Sequence, residues 1–441
     1  MERRMVTIPT KMRNRTLHVL MNGLLVGTLT KHSHGGLSFA YDHSWLQQIG
    51  ARPISLSLPL SQLAYEGDVV YNFFDNLLPD NPQIRARIQA KFRISTNQPF
   101  DLLASIGKDC VGAIQICNLR SSVKQIKAEP LTEKAIATLL RNFKTSPLGM
   151  ADSGEDFRIS IAGAQEKMAF LLHQGKWQRP LGTTPTTHIF KLPIGYIEHQ
   201  GLDLSTSCEN EWLCTQIAKE FGLPIAEATI QYFEEVKVLV VERFDRKLAI
   251  DKTWIMRLPQ EDICQALGLS PNLKYESDGG PGILEIMQLL HGSEIASFDR
   301  ELFFRTQILF FLLAAIDGHA KNFSIFLKPY GTYHLTPLYD IMSAHPLIVD
   351  KQLQKQKIKM AMALCGKNKH YFWNTIKRRH FIETAIKAKF SKQHAEKILE
   401  DMLGQVETVI KNTAIRLPAN FPKSIAKDIF KGMQEAKRIL E

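Results

Sequence analysis

The chain has 441 residues, 44% of them hydrophobic and 22% charged, enough for two or three domains each with its own core. A net charge of +11 favours an anionic partner such as a nucleotide, an acidic protein or nucleic acid. Six cysteines without a CxxC pair argue against structural zinc and a disulfide framework and for a reducing, cytoplasmic location. The segment Leu17 to Gly27 is interrupted by Asn22-Gly23 and reads as a strand rather than a signal peptide, and no apolar run is long enough for a transmembrane helix, so no membrane association is expected.

In chain order, Val19, Met21, Asn22-Gly23 and Leu25 predict a β-hairpin, since Asn-Gly between short apolar runs favours a two-residue turn. Pro82 to Arg93 has helical spacing and many basic residues, and Thr132 to Phe143 predicts a helix inside the polar stretch 124–148. Strands are predicted at Met168–Leu172, His188–Leu192 and Val236–Glu242. Thr206-Ser207-Cys208-Glu209 has the form of a capping box opening a helix whose Leu213, Ile217 and Phe221 share one face. From about Pro259 helical patterns dominate, apart from a hairpin after Asn322. Domain boundaries are placed at 1–148 for a β-rich subdomain, 149–258 for an α/β part and 259–441 for a helical lobe.

The chemistry concentrates around Asp317-Gly318-His319-Ala320-Lys321-Asn322 and Asp340. An Asp five residues before an Asn, with a later Asp, has the spacing of a protein-kinase catalytic loop: a carboxylate for the acceptor hydroxyl and two oxygen ligands for magnesium. The bland alternative is an Asx-rich turn that satisfies its own backbone. The all-apolar run Ile308–Ile316 favours a site, because charged groups beside a core are costly unless paired or bound to metal.

No GxxxxGK[ST] or GxGxxG pattern occurs. Ser160-Ile161-Ala162-Gly163-Ala164-Gln165-Glu166-Lys167 offers small residues that let backbone N–H groups approach phosphate, or else forms an ordinary hairpin turn. Lys191, on a strand, either faces an anion or points to water from a sheet edge. If the helix after Thr206 sits beside it, Glu209 or Glu211 would be its partner.

The strings FRISIAGAQEKMAF, THIFKLPIG, VERFDR, RLPQEDICQALG, KYESDGGPG, DGHAKNFSIF and LTPLYDIMSAHP resemble, in order, the HipA family of bacterial toxin–antitoxin Ser/Thr kinases. RPISLSLPL and VVYNFFDNLLPDN are similar to that family's N-terminal coupling domain. The resemblance implies a two-lobed kinase-like fold, with an α/β N-terminal lobe, a β-rich coupling subdomain and a mostly helical C-terminal lobe. It also implies ATP and Mg2+ as cofactors, with Asp317 as catalytic base and Asn322 and Asp340 as metal ligands. Ala162, Gly163, Ala164, Gln165, Glu166, Lys167 and Lys191 would face the phosphates, and Glu242, Arg243 and Phe244 would form the adenine hinge. His319, Ala320, Lys321 and Tyr339 would complete the nucleotide site, and Ser160 would be an autophosphorylated off switch.

Between Lys351 and Lys392 a dozen Lys and Arg face one acid, Glu383. That density suits a phosphate backbone, or is simply a solvated face, with Tyr371, Phe372, Trp373 and Phe381 as core. The resemblance implies a helix-turn-helix antitoxin of the HipB type, operator DNA touched through Lys387 and Lys389, and an aminoacyl-tRNA synthetase, usually glutamyl-tRNA synthetase, as protein substrate. Small-molecule kinase and DNA-binding co-repressor with a vestigial kinase site are the competing functions.

Overall fold

A computed structural model describes residues 14–117, 124–142 and 167–441. The first hairpin pairs Arg15–Met21 with Leu24–Lys31 through Asn22 and Gly23, whose φ values of 48° and 79° are what a two-residue primed turn requires. Leu37–Tyr41, Ala64–Glu66 and Ile114–Cys117 extend it into a five-stranded antiparallel sheet. Helices Asp68–Asp75, Pro82–Lys91 and Pro99–Ile106 cover it, burying Phe39, Phe73, Phe74 and Phe100 in one core.

A six-stranded sheet follows, containing Met168–His173, His188–Lys191 and Val236–Glu242, with Ala228–Phe233 and Ala128–Pro130 at its edges. All three predicted strands are present. The helix Glu133–Arg141 packs beneath, with the Thr132 hydroxyl accepting the Ala135 N–H as its N-cap. His188–Lys191 is hydrogen-bonded on both sides, to Val236–Glu242 and to Met168–His173, so Lys191 does not sit on a sheet edge.

The third body is helical. Ser207–Glu220, Ala296–Leu313, Lys392–Ile415 and Lys423–Leu440 bury one continuous core running from Leu213 to Leu440. Leu213, Ile217 and Phe221 all lie in it, as their spacing predicts. The predicted capping box does not form. Thr206 makes no side-chain cap, and the Glu209 carboxylate is drawn instead to Lys237 on the neighbouring sheet.

The hairpin after Asn322 pairs Ser324–Leu327 with Tyr333–Leu335, and Gln260–Asp262 adds a third strand. A further hairpin, Lys359–Cys365 with Lys369–Phe372, corrects the expectation of helices alone in this region. Met360 to Cys365 are all buried, so the strand carries none of the polar–apolar alternation by which a half-exposed strand is recognised. Among the described residues no helix is long and apolar enough to cross a membrane.

Candidate active site

Between the α/β sheet and the helical body lies a cavity of about 440 Å³, walled also by Asn76 and Asp80 from the N-terminal sheet unit. The helix Ala296–Leu313 delivers one side of it. That helix stops at Ala314, whose left-handed φ of 47° turns the chain back so that the Ala315 N–H bonds to the Phe310 carbonyl. Gly318 then passes so close to the Phe310 ring that a Cβ would lie 2.1 Å from it. This tight passage leaves Asp317 exposed at the cleft mouth and His319, Lys321 and Asn322 buried behind it.

Asp340 reaches the same place from the other strand. Leu338 is pinned by backbone bonds to Pro224 and Ala226, and Asp340 follows with a positive φ of 62°. The Asn322 amide donates to the Asp340 carbonyl at 3.3 Å, and Asn322 Oδ1 is buried with no hydrogen-bond partner among the described residues. Lys191 Nζ donates to Asp340 Oδ1 at 2.8 Å and to Glu211 Oε1 at 2.6 Å. Of the two candidate partners, the fold brings Glu211 to Lys191 and sends Glu209 elsewhere. Lys167 Nζ lies 3.9 Å from Asp340 Oδ2.

The charges are mutually sustained. Burial disfavours the Lys191 ammonium, yet Asp340 and Glu211 outweigh it and hold its pKa above the usual lysine value. Burial likewise disfavours the Asp340 carboxylate, and Lys191 and Lys167 hold it well below the ordinary range. His319 is pushed down to about 3, by burial first and then by Lys274, and is a neutral imidazole at physiological pH.

Residues 159–410 match the HipA-like C-terminal domain and residues 17–117 the HipA N-terminal domain. The chain belongs to the HipA family. A putative kinase of Sinorhizobium fredii is 33% identical over 77% of this chain and 80% of its own length. The serine/threonine-protein kinase toxin HipA of Shewanella oneidensis is 28% identical over 74% of this chain and 75% of that protein. The solved complex of Shewanella oneidensis HipA with HipB and its operator DNA matches at 21% identity with a TM-score of 0.79, covering 96% of this chain and 97% of that one. The HipA fold is therefore the two-lobed α/β kinase-like fold expected from the sequence, and the chain is a kinase by class.

Within this HipA fold the remaining expected residues are placed as follows. Glu242, Arg243 and Phe244 line the cavity where the chain leaves the sheet for the helical body. The Arg243 guanidinium is engaged in a buried cluster with Asp245, Thr186 and the Cys110 carbonyl. The Phe244 ring packs against Tyr339 and Phe326. Tyr339 donates to the Lys321 carbonyl at 2.8 Å, which ties the second strand of the hairpin to the Asp317–Asn322 loop. Lys321 also lines the cavity, but its Nζ is held by Asn76 Oδ1 at 2.7 Å and Asp262 Oδ2 at 3.0 Å. It ties the loop to the N-terminal unit.

Ser160 and Ala162 to Glu166 lie outside the described residues. Lys387 and Lys389 are not brought to the cleft: Lys387 Nζ donates to the Gly366 carbonyl at 2.8 Å, and Lys389 is exposed just past the helix Arg378–Lys387. Trp373 and Phe381 are core as expected, while Phe372 is 41% exposed.

Sequence reasoning assigned no role to Asn76, Asp80, Asp262, Lys274 or Tyr275, all of which the fold gathers around the loop. Lys274 pairs with Asp80 at 3.2 Å, and the Tyr275 hydroxyl donates to Asp317 Oδ1 at 2.5 Å. The available signal was their place inside the strings VVYNFFDNLLPDN, RLPQEDICQALG and KYESDGGPG.

Proposed function

We propose that this chain is a Mg-ATP-dependent Ser/Thr protein kinase, the toxin of a type II toxin–antitoxin pair. The observation that carries the reading is the convergence of Lys191, Glu211, Asp340 and Asn322 at one end of the cavity with Asp317 at its mouth. A magnesium ion fits this donor set, because the unpartnered Asn322 Oδ1 and the Asp340 carboxylate are the hard oxygens it prefers. Bound there with ATP, it would neutralise charge on the transferring phosphoryl group. Asp317 accepts the proton of the acceptor hydroxyl as that oxygen bonds to the γ-phosphorus and the bond to the β-phosphate oxygen breaks, releasing ADP. Lys191, kept cationic by its two carboxylates, orients phosphate oxygens, and Glu242 to Phe244, which line the cavity, border the space for the base.

The regulatory part of the reading rests on the resemblance: Ser160 as the autophosphorylated switch, a HipB-type antitoxin, operator DNA approached through the basic face around Lys387 and Lys389, and an aminoacyl-tRNA synthetase as substrate. The six cysteines, none of them in a disulfide, agree with a cytoplasmic setting. Radiolabelled ATP supplied with a proteome extract, and in parallel with a panel of small hydroxyl compounds, tests it. Label on a protein band that disappears with Asp317→Asn is the expected result. Label confined to small molecules would replace the protein-kinase reading by a small-molecule one, and no label at all would leave a vestigial site.

A further inference from the structure

We propose that Tyr275 is a positioning residue for Asp317, fixing one carboxylate oxygen so that the other is left to take the acceptor proton. The proposal deepens the kinase reading above and rests on it. A carboxylate on a single methylene rotates about its last torsion, and a general base works only within hydrogen-bond reach of its proton. The Tyr275 hydroxyl donates to Asp317 Oδ1 at 2.5 Å, and among the described residues Oδ2 takes no hydrogen bond.

The loop that carries Tyr275 is built to hold still. A Cβ at Gly280 would lie 1.9 Å from the Leu273 carbonyl oxygen, and one at Gly282 would lie 2.5 Å from the Glu276 carboxyl carbon, so the loop folds tightly on itself. It is anchored on both sides of Tyr275. The Lys274 carbonyl accepts the Ala320 N–H at 3.1 Å, directly from the loop that bears Asp317. Glu276 accepts the Ala363 N–H at 2.6 Å and meets Lys369 Nζ at 2.6 Å, which fastens the other side to the hairpin Lys359–Cys365 with Lys369–Phe372. The His319 ring stands edge-on to the phenol at 5.0 Å.

The charges around the pair set the expected pH behaviour. Although Asp317 opens to solvent at the cleft mouth, desolvation by the surrounding cleft walls raises its pKa, the Tyr275 hydrogen bond lowers it, Asp340 raises it and Lys274 lowers it. The phenol itself stays protonated, and so remains a donor, because burial and then Asp317 push it up, with Asp278 and Asp80 adding to the same direction. Losing the hydroxyl removes a restraint on rotation and a stabiliser of the ionised base together.

In the transfer step the acceptor oxygen bonds to the γ-phosphorus, the bond from phosphorus to the β-phosphate oxygen breaks, and the acceptor proton passes to Asp317 Oδ2. Tyr275 keeps its own proton throughout.

The test is Tyr275→Phe in the full chain, which keeps the ring against His319 and deletes only the hydroxyl. The expected result is a fall in kcat of about tenfold, the effect of one lost orienting hydrogen bond, with KM for ATP unchanged. The acid limb of the kcat–pH profile is expected to move to higher pH, because the base now protonates more readily. Wild-type kcat across the pH range would overturn the proposal. So would a loss carried by KM and melting temperature with the acid limb unmoved, which is the signature of a merely structural tyrosine. If the wild-type chain transfers no phosphate, the kinase reading fails on its own account. The contact is then judged from the ¹³Cζ resonance of Tyr275, identified by its loss in Tyr275→Phe. That resonance is expected to move in Asp317→Ala, and its constancy would overturn the contact itself.

Discussion

Lys191 and Asp340 stand 149 positions apart in the chain and meet at 2.8 Å, one from the centre of the α/β sheet and one from the turn after the hairpin of the helical body. Glu211 closes the triangle from the first turns of the helix Ser207–Glu220. The Lys191 side chain is almost fully buried, so its charge is tolerable only because both carboxylates are in place.

Lys191→Met is accordingly expected to do two things. It should abolish ATP binding, and it should lower unfolding free energy by about 3 kcal/mol, since it leaves Glu211 buried without its cation. Urea unfolding followed by circular dichroism, with nucleotide binding by calorimetry, reads both. Retained nucleotide affinity would show that the lysine is a structural tie alone.

Asp317→Asn and Asp340→Asn should each remove phosphoryl transfer while leaving the fold intact. Asparagine is the better substitute at 340, because a φ of 62° strains alanine and is tolerated by Asn. A phosphotransfer assay beside a melting curve checks the pair. Substantial activity in Asp340→Asn would contradict the assigned metal role.

Asp109 anchors a buried cluster in which, among the described residues, Arg243, Arg246 and Arg257 face two carboxylates, Asp109 and Asp245. It links the N-terminal unit to the strand connection that lines the cleft. Burial works against the Asp109 charge, but Arg246, Arg257 and Arg243 hold its pKa well below the ordinary value. The stability it contributes is full above the unfolded carboxylate pKa and is lost as pH falls below it. Asp109→Asn should cost about 3 kcal/mol or more at neutral pH, measured by urea unfolding, because it leaves three buried guanidiniums with one counter-charge.

Glu261 gives the opposite pH dependence. It is fully buried, accepts the Leu56 N–H through Oε1, and among the described residues leaves Oε2 without a hydrogen-bond partner. Burial raises its pKa from the usual 4.5 to about 8. A raised carboxyl pKa means that the folded state holds a proton the unfolded chain would release. Its stabilising share is therefore present below pH 4.5 and is lost as pH climbs to about 8. Glu261→Gln, neutral at every pH, should be near-neutral at pH 4.5 and more stable than wild type by a few kcal/mol, roughly, at pH 8.5. Melting temperatures of the two proteins across that range decide it.

What the sequence determined by itself was whatever short-range pattern encodes. The Asn22-Gly23 hairpin, three of the six strands of the α/β sheet, the apolar helix ahead of Asp317 and the Asp317–Asn322 spacing with Asp340 beyond it all follow from periodicity, turn chemistry or fixed spacing. What the tertiary structure decided was which charge meets which. Glu209 and Glu211 are two residues apart on one helix, so they point about 200° from each other, and only packing against the sheet selects Glu211 for Lys191. Lys321 is adjacent in sequence to Asn322 yet spends its charge on Asn76 and Asp262, while Tyr275 finds Asp317 from 42 positions away. The strand Lys359–Cys365 was hidden because it is buried along nearly its whole length and so loses alternation. Local sequence sets the backbone's preferences, whereas a buried charge takes its partner from whatever chain segment the core brings alongside it.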